Sequence, residues 1–258
     1  MLKKIKNLFL QKKIRNKSNC CFVYLVHGSD TLKIFENSVY SLRMVNPVVE
    51  IYVFCNEELF NDIIIISKKY NFSVKTFKIN IYNKYQKFRS ENWVKITKKK
   101  FDIINYLLNK NFYIVIYVDI DVVFISNPEN YIKKINKNFI IGAQSESLPI
   151  YPQEFCTGFM FFNKKSQYLI KKLINYKSSG DDQFIFNKFI SKKKLHNIVF
   201  CFPESLFQNG LHYKNFIGKR FFLLKSELKP FIFHANYVLG TRNKIKLLKH
   251  INLWKKRI

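Results

Sequence analysis

The stretch from Phe112 to Pro128 constrains this chain more than any other. It reads Phe-Tyr-Ile-Val-Ile-Tyr-Val-Asp-Ile-Asp-Val-Val-Phe-Ile-Ser-Asn-Pro. From Phe112 to Val118 it carries no charge and is rich in β-branched and aromatic residues. Such a run is too short to cross a bilayer and reads as a strand buried on both faces, as in a parallel sheet. Asp119 and Asp121 arrive where that strand should end. Alternate residues of an extended chain point the same way, so the two carboxylates are expected on one face. Carboxylates this close repel each other and are costly to bury unpaired. A divalent cation removes the conflict, and hard cations such as Mg²⁺ and Mn²⁺ take oxygen ligands from carboxylates and substrate phosphates. The stretch therefore predicts a metal–diphosphate site at the carboxyl end of a central strand. The plainer alternative is a strand end whose acids face water.

The chain before this stretch prepares for it. Cys21 to Val26 reads as a first buried strand, closed by His27-Gly28-Ser29-Asp30, a tight turn into a helix. Ile34, Val39, Leu42 and Val45 recur at helical spacing until Asn46-Pro47 stops them. Glu50 to Cys55 is a second strand, Glu57 to Tyr70 a second helix, and Ser73 to Ile79 a third strand. This β-α-β-α-β order predicts an α/β fold with one doubly wound, mostly parallel sheet flanked by helices, Rossmann-like in its winding. Ligands of such sheets bind outside the carboxyl ends of the strands. Asn80 to Glu91 has no clear period, and Trp93 to Lys110 returns to helical spacing.

Beyond Pro128 the pattern gives a short helix (Glu129 to Asn136), a strand (Phe139 to Ala143) and a loop (Gln144 to Glu154). The apolar strand Phe155 to Asn163 follows. Gly158 inside it signals a close approach to the backbone, by a ligand or a neighbouring strand. Gln167 to Tyr176 reads as helix. Asp181, Asp182 and Gln183 open another helix, where acids suit the dipole, but a pair plus Gln exceeds what a cap requires. His196 to Phe202 is a strand and Pro203 to Arg220 is irregular. Phe231 to Phe233 is a last short strand ending in His234. Gly240 then precedes a basic helix from Thr241 to Trp254. No linker or repeat divides the chain, so residues 1–19 are expected as a basic lead-in and residues 20–258 as a single domain.

The formal net charge of +28 brings nucleic acid into consideration as a partner. Arginine, the residue suited to bidentate phosphate and base contacts, is confined to Arg15, Arg43, Arg89, Arg220, Arg242 and Arg257. The lysines are spread along the whole chain, which argues against a specific nucleic-acid partner and for attraction to anions in general. Met1 to Ser18 could form a basic amphipathic helix in peripheral contact with an anionic membrane. The sequence shows no signal-peptide core and no apolar run of transmembrane length, so a cytoplasmic location is expected, membrane-peripheral if Met1 to Ser18 forms that helix. Five cysteines without paired spacing read as buried free thiols.

Taken together, these motifs resemble the nucleotide-diphospho-sugar transferases with the glycosyltransferase A fold. The resemblance runs from about residue 20 to the C-terminus. Trp93 to Lys100, the Asp-x-Asp of Asp119 and Asp121, Cys156-Thr157-Gly158-Phe159, Asp182-Gln183 with Asn187, and His234-Ala235-Asn236 with Gly240 and Lys244 carry it. It implies Mn²⁺ (or Mg²⁺) held by Asp119, Asp121 and His234 on the diphosphate of a UDP- or GDP-sugar. It also implies Asp182 and Gln183 beside the transferred sugar. Donor contacts are implied for Lys100 (with Lys99 adjacent), Gly158, Gly240, Lys244 and, at the first strand end, His27. The implied reaction is sugar transfer to a glycan, protein or lipid hydroxyl, with retention of configuration.

Two rival readings exist. In a haloacid-dehalogenase-type, Mg²⁺-dependent phosphatase, Asp119 would be the nucleophile, Asp121 the general acid, and Gly180-Asp181-Asp182 a magnesium motif. That nucleophile normally follows the first strand, whereas three strands precede it here. A basic module binding nucleic acid or membrane explains the charge but not the strand-end acids.

Overall fold

The structure, a computed structural model, describes residues 19–77, 90–146, 154–210 and 229–254. The lead-in segment, most of the aperiodic Asn80–Glu91 stretch and much of Pro203–Arg220 lie outside these residues. The N-terminal half alternates strand and helix as its apolar periods require. Strand β1 (Cys20–Val26) leads to helix α1 (Leu32–Val45), β2 (Glu50–Cys55), α2 (Phe60–Tyr70) and β3 (Ser73–Thr76). Helix α3 (Glu91–Asn109), capped by the Ser90 hydroxyl on Trp93 N, delivers the chain to β4 (Ile114–Val118). Then follow β5 (Val122–Phe124), α4 (Glu129–Ile135), β6 (Ile141–Ser145) and β7 (Phe155–Asn163). Helices α5 (Gln167–Ile174) and α6 (Asp182–Lys192), strands β8 (Val199–Phe202), β9 (Phe207–Asn209) and β10 (Ile232–His234), and helix α7 (Thr241–His250) complete the described elements.

The main sheet has seven strands in the order β3-β2-β1-β4-β7-β6-β8. From β3 to β4 all neighbours are parallel; β7 runs antiparallel to both β4 and β6, and β8 is parallel to β6. The winding goes outward from β1 to β3 and resumes on the other side at β4. The β1/β4 boundary is thus the switch point at which such sheets open a crevice, and β4 ends there in Val118-Asp119. One face is covered by α3, α5 and α6 through Ile104, Leu107, Leu169 and Phe186; the other by α1 and α2 through Phe35, Val39, Leu42 and Ile63.

Several expectations need correction. Asp119 and Asp121 do not extend β4: residues 120 and 121 form a turn, and Val122 N donates to Asp119 O. This turn feeds a second, three-stranded sheet, β5-β10-β9, in which His234 lies opposite Val122. Gln144 and Ser145 belong to β6 and not to a loop. His196 to Ile198 is a 3-10 turn before β8, because only Val199 onward can join the ladder beside Ile141. The last helix stops at His250. All five cysteines are thiols outside any disulfide; Cys20, Cys21, Cys55 and Cys156 are buried as expected, whereas Cys201 is half-buried, and no helix of the described residues is long and apolar enough to cross a membrane.

Candidate active site

The register of two sheets builds the site. Asp119 leaves β4, and its N–H donates to Gly158 O on β7 (2.7 Å). Asp121 precedes β5, and its carbonyl accepts from Ala235 N just past β10 (3.1 Å). His234 is thereby held over the turn. Its Nε2 lies 3.3 Å from Asp121 Oδ1 and 3.8 Å from Asp119 Oδ2. The three side chains each offer a ligand atom within 4.8 Å of the others. Ligands on one small cation at about 2.1 Å stand roughly 3 Å apart, so small side-chain shifts fit these donors to one ion. Two carboxylates and an imidazole suit Mn²⁺ or Mg²⁺ by charge and donor type. Asp121 and His234 are buried, whereas the Asp119 side chain is 34% exposed and forms the open side.

Gly158 is what lets these groups meet. A Cβ there would stand 2.1 Å from His234 Cε1 and 2.8 Å from Asp119 Oδ2. The close approach signalled by this glycine is thus made by the site's own side chains.

Lys100 enters from α3. Its ammonium lies 2.5 Å from Asp182 Oδ2 and 3.7 Å from Asp119 Oδ1, donates to Thr157 O (3.1 Å), and sits 4.5 Å from the centroid of the Tyr117 ring. Tyr117 OH donates to Asp119 Oδ1 (2.9 Å), and Thr157 Oγ1 donates to Asp182. Burial opposes the charge of Lys100, but Asp119 and Asp182 outweigh it and raise its pKa. Burial likewise opposes the charge of Asp182, and Lys100 overrides it, lowering the pKa. Of the two neighbouring lysines only Lys100 reaches this cluster; Lys99 points outward to Asp102 (3.2 Å).

The acidic pair before α6 divides its work. Asp181 caps the helix by accepting from Phe184 N (2.8 Å), while Asp182 turns inward to Lys100. Gln183 stands next to Asp182, partly exposed. Asn187 is structural: its amide exchanges hydrogen bonds with Phe155 N and O (2.8 Å each) and pins α6 to β7.

The basic helix contributes from the far side. Gly240 caps α7 at φ 81°, and Lys244, one turn in, lies 2.5 Å from Asp121 Oδ2. Burial works against ionised Asp121, yet Lys244 and then His234 hold its pKa well below the usual carboxylate range. His27 is not part of this cluster. It follows β1 with its Nε2 buried and unpartnered among the described residues, and burial lowers its pKa. Both polar atoms of Asn56, at the end of the adjacent β2, are likewise buried without a partner. Val26 pairs with Cys55, so His27 and Asn56 occupy the next rung of parallel strands.

Sequence reasoning missed Asn56 and Gln144. Asn56 left a usable signal, a polar residue at a strand's carboxyl end. Gln144 is fully buried, with its Oε1 3.0 Å from His234 Nδ1. Its position before a Pro-bearing segment hid it.

Comparison with known proteins gives the family and the fold. The family model described as nucleotide-diphospho-sugar transferase matches residues 50–248. Among solved structures, the galactosyltransferase LgtC, in complex with donor and acceptor sugar analogues, superposes with a TM-score of 0.58 at 11% identity, covering 92% of this chain and 97% of that one. Mouse xyloside xylosyltransferase 1 gives 0.57 at 11% identity, over 84% of this chain and 97% of that one. The glycosyltransferase GlyE of Streptococcus pneumoniae gives 0.57 at 14% identity, over 92% and 66%. At these identities the likeness is one of fold, the glycosyltransferase A fold. No curated protein is recognisably similar in sequence.

Proposed function

Since the chain belongs to the nucleotide-diphospho-sugar transferase family, we propose that it moves a sugar from a nucleotide diphosphate to an acceptor hydroxyl with the help of Mn²⁺ or Mg²⁺. The observation that carries this reading is the convergence of Asp119, Asp121 and His234 at the switch point of the sheet. These three residues would hold the cation. When bound, it supplies Lewis-acid neutralisation of the charge that develops on the departing diphosphate.

The protein's own groups supply the rest. The amino end of α7, with Gly240 and the Lys244 ammonium, favours anionic oxygens beside Asp121. Lys100 is buried between Asp119 and Asp182, orients both carboxylates and favours the ionised form of Asp182. Asp182 and Gln183, at the mouth of α6, face the transferred sugar in this reading. His27 and Asn56 offer polar atoms without a partner among the described residues at two neighbouring strand ends, suited to the nucleoside half of the donor. Transfer proceeds with retention, and the acceptor is a glycan, protein or lipid hydroxyl. The basic N-terminal segment would add a peripheral contact with anionic membrane.

Calorimetric titration of UDP and GDP, with Mn²⁺ and with chelator, tests the reading on wild type and Asp121→Ala. Manganese-dependent binding that the substitution abolishes is expected, and it identifies the base. Proton NMR of the product then reports the anomeric configuration. Binding of neither nucleotide, together with hydrolysis of a phosphomonoester, would overturn the reading.

A further inference from the structure

Gln144 lies behind His234, at the end of β6 that faces the small sheet. Its Nε2 stands 3.2 Å from Phe207 O and 3.3 Å from Gln208 O, both on β9. Its Oε1 stands 3.0 Å from His234 Nδ1. A peptide carbonyl only accepts, so only the NH₂ end of the amide can face β9. The orientation of Gln144 is thus fixed without reference to the histidine. An amide oxygen also only accepts, so His234 Nδ1 must carry the hydrogen that meets it. In the neutral ring the lone pair is then on Nε2, the atom nearest Asp119 and Asp121.

We propose that Gln144 is a positioning residue: it locks His234 in the Nδ1–H tautomer and so keeps Nε2 available as a metal ligand. The inference rests on the metal site proposed above. The alternative tautomer has a clear attraction, because an Nε2–H would find the Asp121 carboxylate 3.3 Å away. That charge-assisted hydrogen bond would occupy both an imidazole nitrogen and a carboxylate oxygen that the ion requires. Gln144 opposes it. The Cys156 thiol is the other group near Nδ1, at 3.8 Å, but its sulfur accepts from Asn236 Nδ2 at 3.7 Å, and the 3.0 Å amide contact is much the stronger.

Nitrogen-15 labelling of the histidines in the full chain reads the tautomer directly. Long-range proton–nitrogen correlations separate Nδ1–H from Nε2–H rings. The His234 ring is assigned by elimination, with single substitutions at His27, His196, His212 and His250. The metal-free wild type, recorded where the ring is neutral, is expected to show Nδ1–H. Gln144→Leu keeps the bulk and removes the acceptor; it is expected to shift the ring to Nε2–H and weaken Mn²⁺ binding, read by paramagnetic resonance of the free ion, by about 10–100-fold. Gln144→Glu keeps an acceptor for Nδ1–H but loses the donor to Phe207 O and Gln208 O, so it is expected to keep the Nδ1–H form at a cost in stability.

An Nε2–H ring in the wild type overturns the proposal, whether or not Gln144→Leu folds. So does a folded Gln144→Leu protein with an Nδ1–H ring and unchanged Mn²⁺ affinity. An Nδ1–H ring in a wild-type protein that binds no Mn²⁺ supports the lock and overturns only the metal reading.

Discussion

Lys100 Nζ lies 2.5 Å from Asp182 Oδ2, and both side chains are at least 96% shielded from water. Neither charge could be kept there alone, because removing one partner of a buried pair leaves the other uncompensated, at a cost of about 3–5 kcal/mol. Lys100→Met is therefore expected to lower the urea midpoint sharply. Asp182→Asn added to it should restore much of the loss, since the stranded charge is then gone. Independent, additive losses in the double-mutant cycle would show that the two groups are not coupled.

The same pair sets the pH window of stability. Asp182 has a lowered pKa, so its contribution is fully present above the unfolded value of about 3.9 and is lost as pH falls through the folded one. Lys100 has a raised pKa, so its contribution is present below about 10.4 and is lost as pH rises through its folded value. Urea midpoints against pH should fall at both ends for the wild type. In the Lys100→Met, Asp182→Asn protein the contribution of this pair to both slopes should disappear.

Gly158→Ala tests the space left for His234. The added methyl meets His234 Cε1 at 2.1 Å and Asp119 Oδ2 at 2.8 Å, separations that real Cβ atoms do not tolerate. The backbone is fixed on both sides of it, by β4 from Phe159 onward and by β6 at Cys156, and Asp119 N holds the Gly158 carbonyl, so the imidazole must move. Mn²⁺ affinity and sugar transfer are expected to fall at least tenfold, with a stability loss of about 1–3 kcal/mol from overpacking. Unchanged Mn²⁺ affinity would show that His234 is not held where the metal needs it.

Much of this arrangement was legible in the sequence, for reasons that also explain the rest. Apolar, β-branched or aromatic runs ending in polar residues marked β1, β4 and, after Glu50, β2, because strands buried on both faces cannot hide a charge. The 3.6-residue spacing of Ile96, Ile103, Ile104 and Leu107 marked α3. The small sheet was less legible: β5, β9 and β10 are three residues each, too short for a period to show. Only β10 was anticipated, because apolar residues lead into His234. Reading Asp119 and Asp121 as one strand face gave the right convergence by the wrong geometry, since a turn brings them together. The antiparallel direction of β7 was invisible, because its buried side chains read the same either way. Gln144 acts through groups 63 to 90 residues distant, and no local pattern reports such a partner.

Gly240→Ala separates backbone strain from contact. At φ 81° and ψ 137° an L side chain is strained, yet a Cβ there meets nothing within 4 Å. The expected loss of about 1–3 kcal/mol is therefore conformational. If α7 shifts its first turn to relieve the strain, Lys244 moves with it, and the apparent affinity for nucleotide diphosphate should fall while Mn²⁺ alone still binds.

Lys244 makes the sharpest prediction about the order of assembly. Its ammonium lies 2.5 Å from Asp121 Oδ2, and this contact is the leading favourable cause of the low Asp121 pKa. An ion binding without nucleotide must compete with that cation for the same carboxylate. A diphosphate offers Lys244 an alternative anion, and its side chain, 26% exposed, has room to turn toward one. Lys244→Ala should therefore tighten binding of Mn²⁺ alone and weaken binding of Mn²⁺ with UDP or GDP. The two effects oppose each other, which a general loss of structure cannot imitate. Paramagnetic resonance titrations with and without nucleotide measure both; a fall in affinity under both conditions would show that Lys244 supports the metal site and does not compete with the ion.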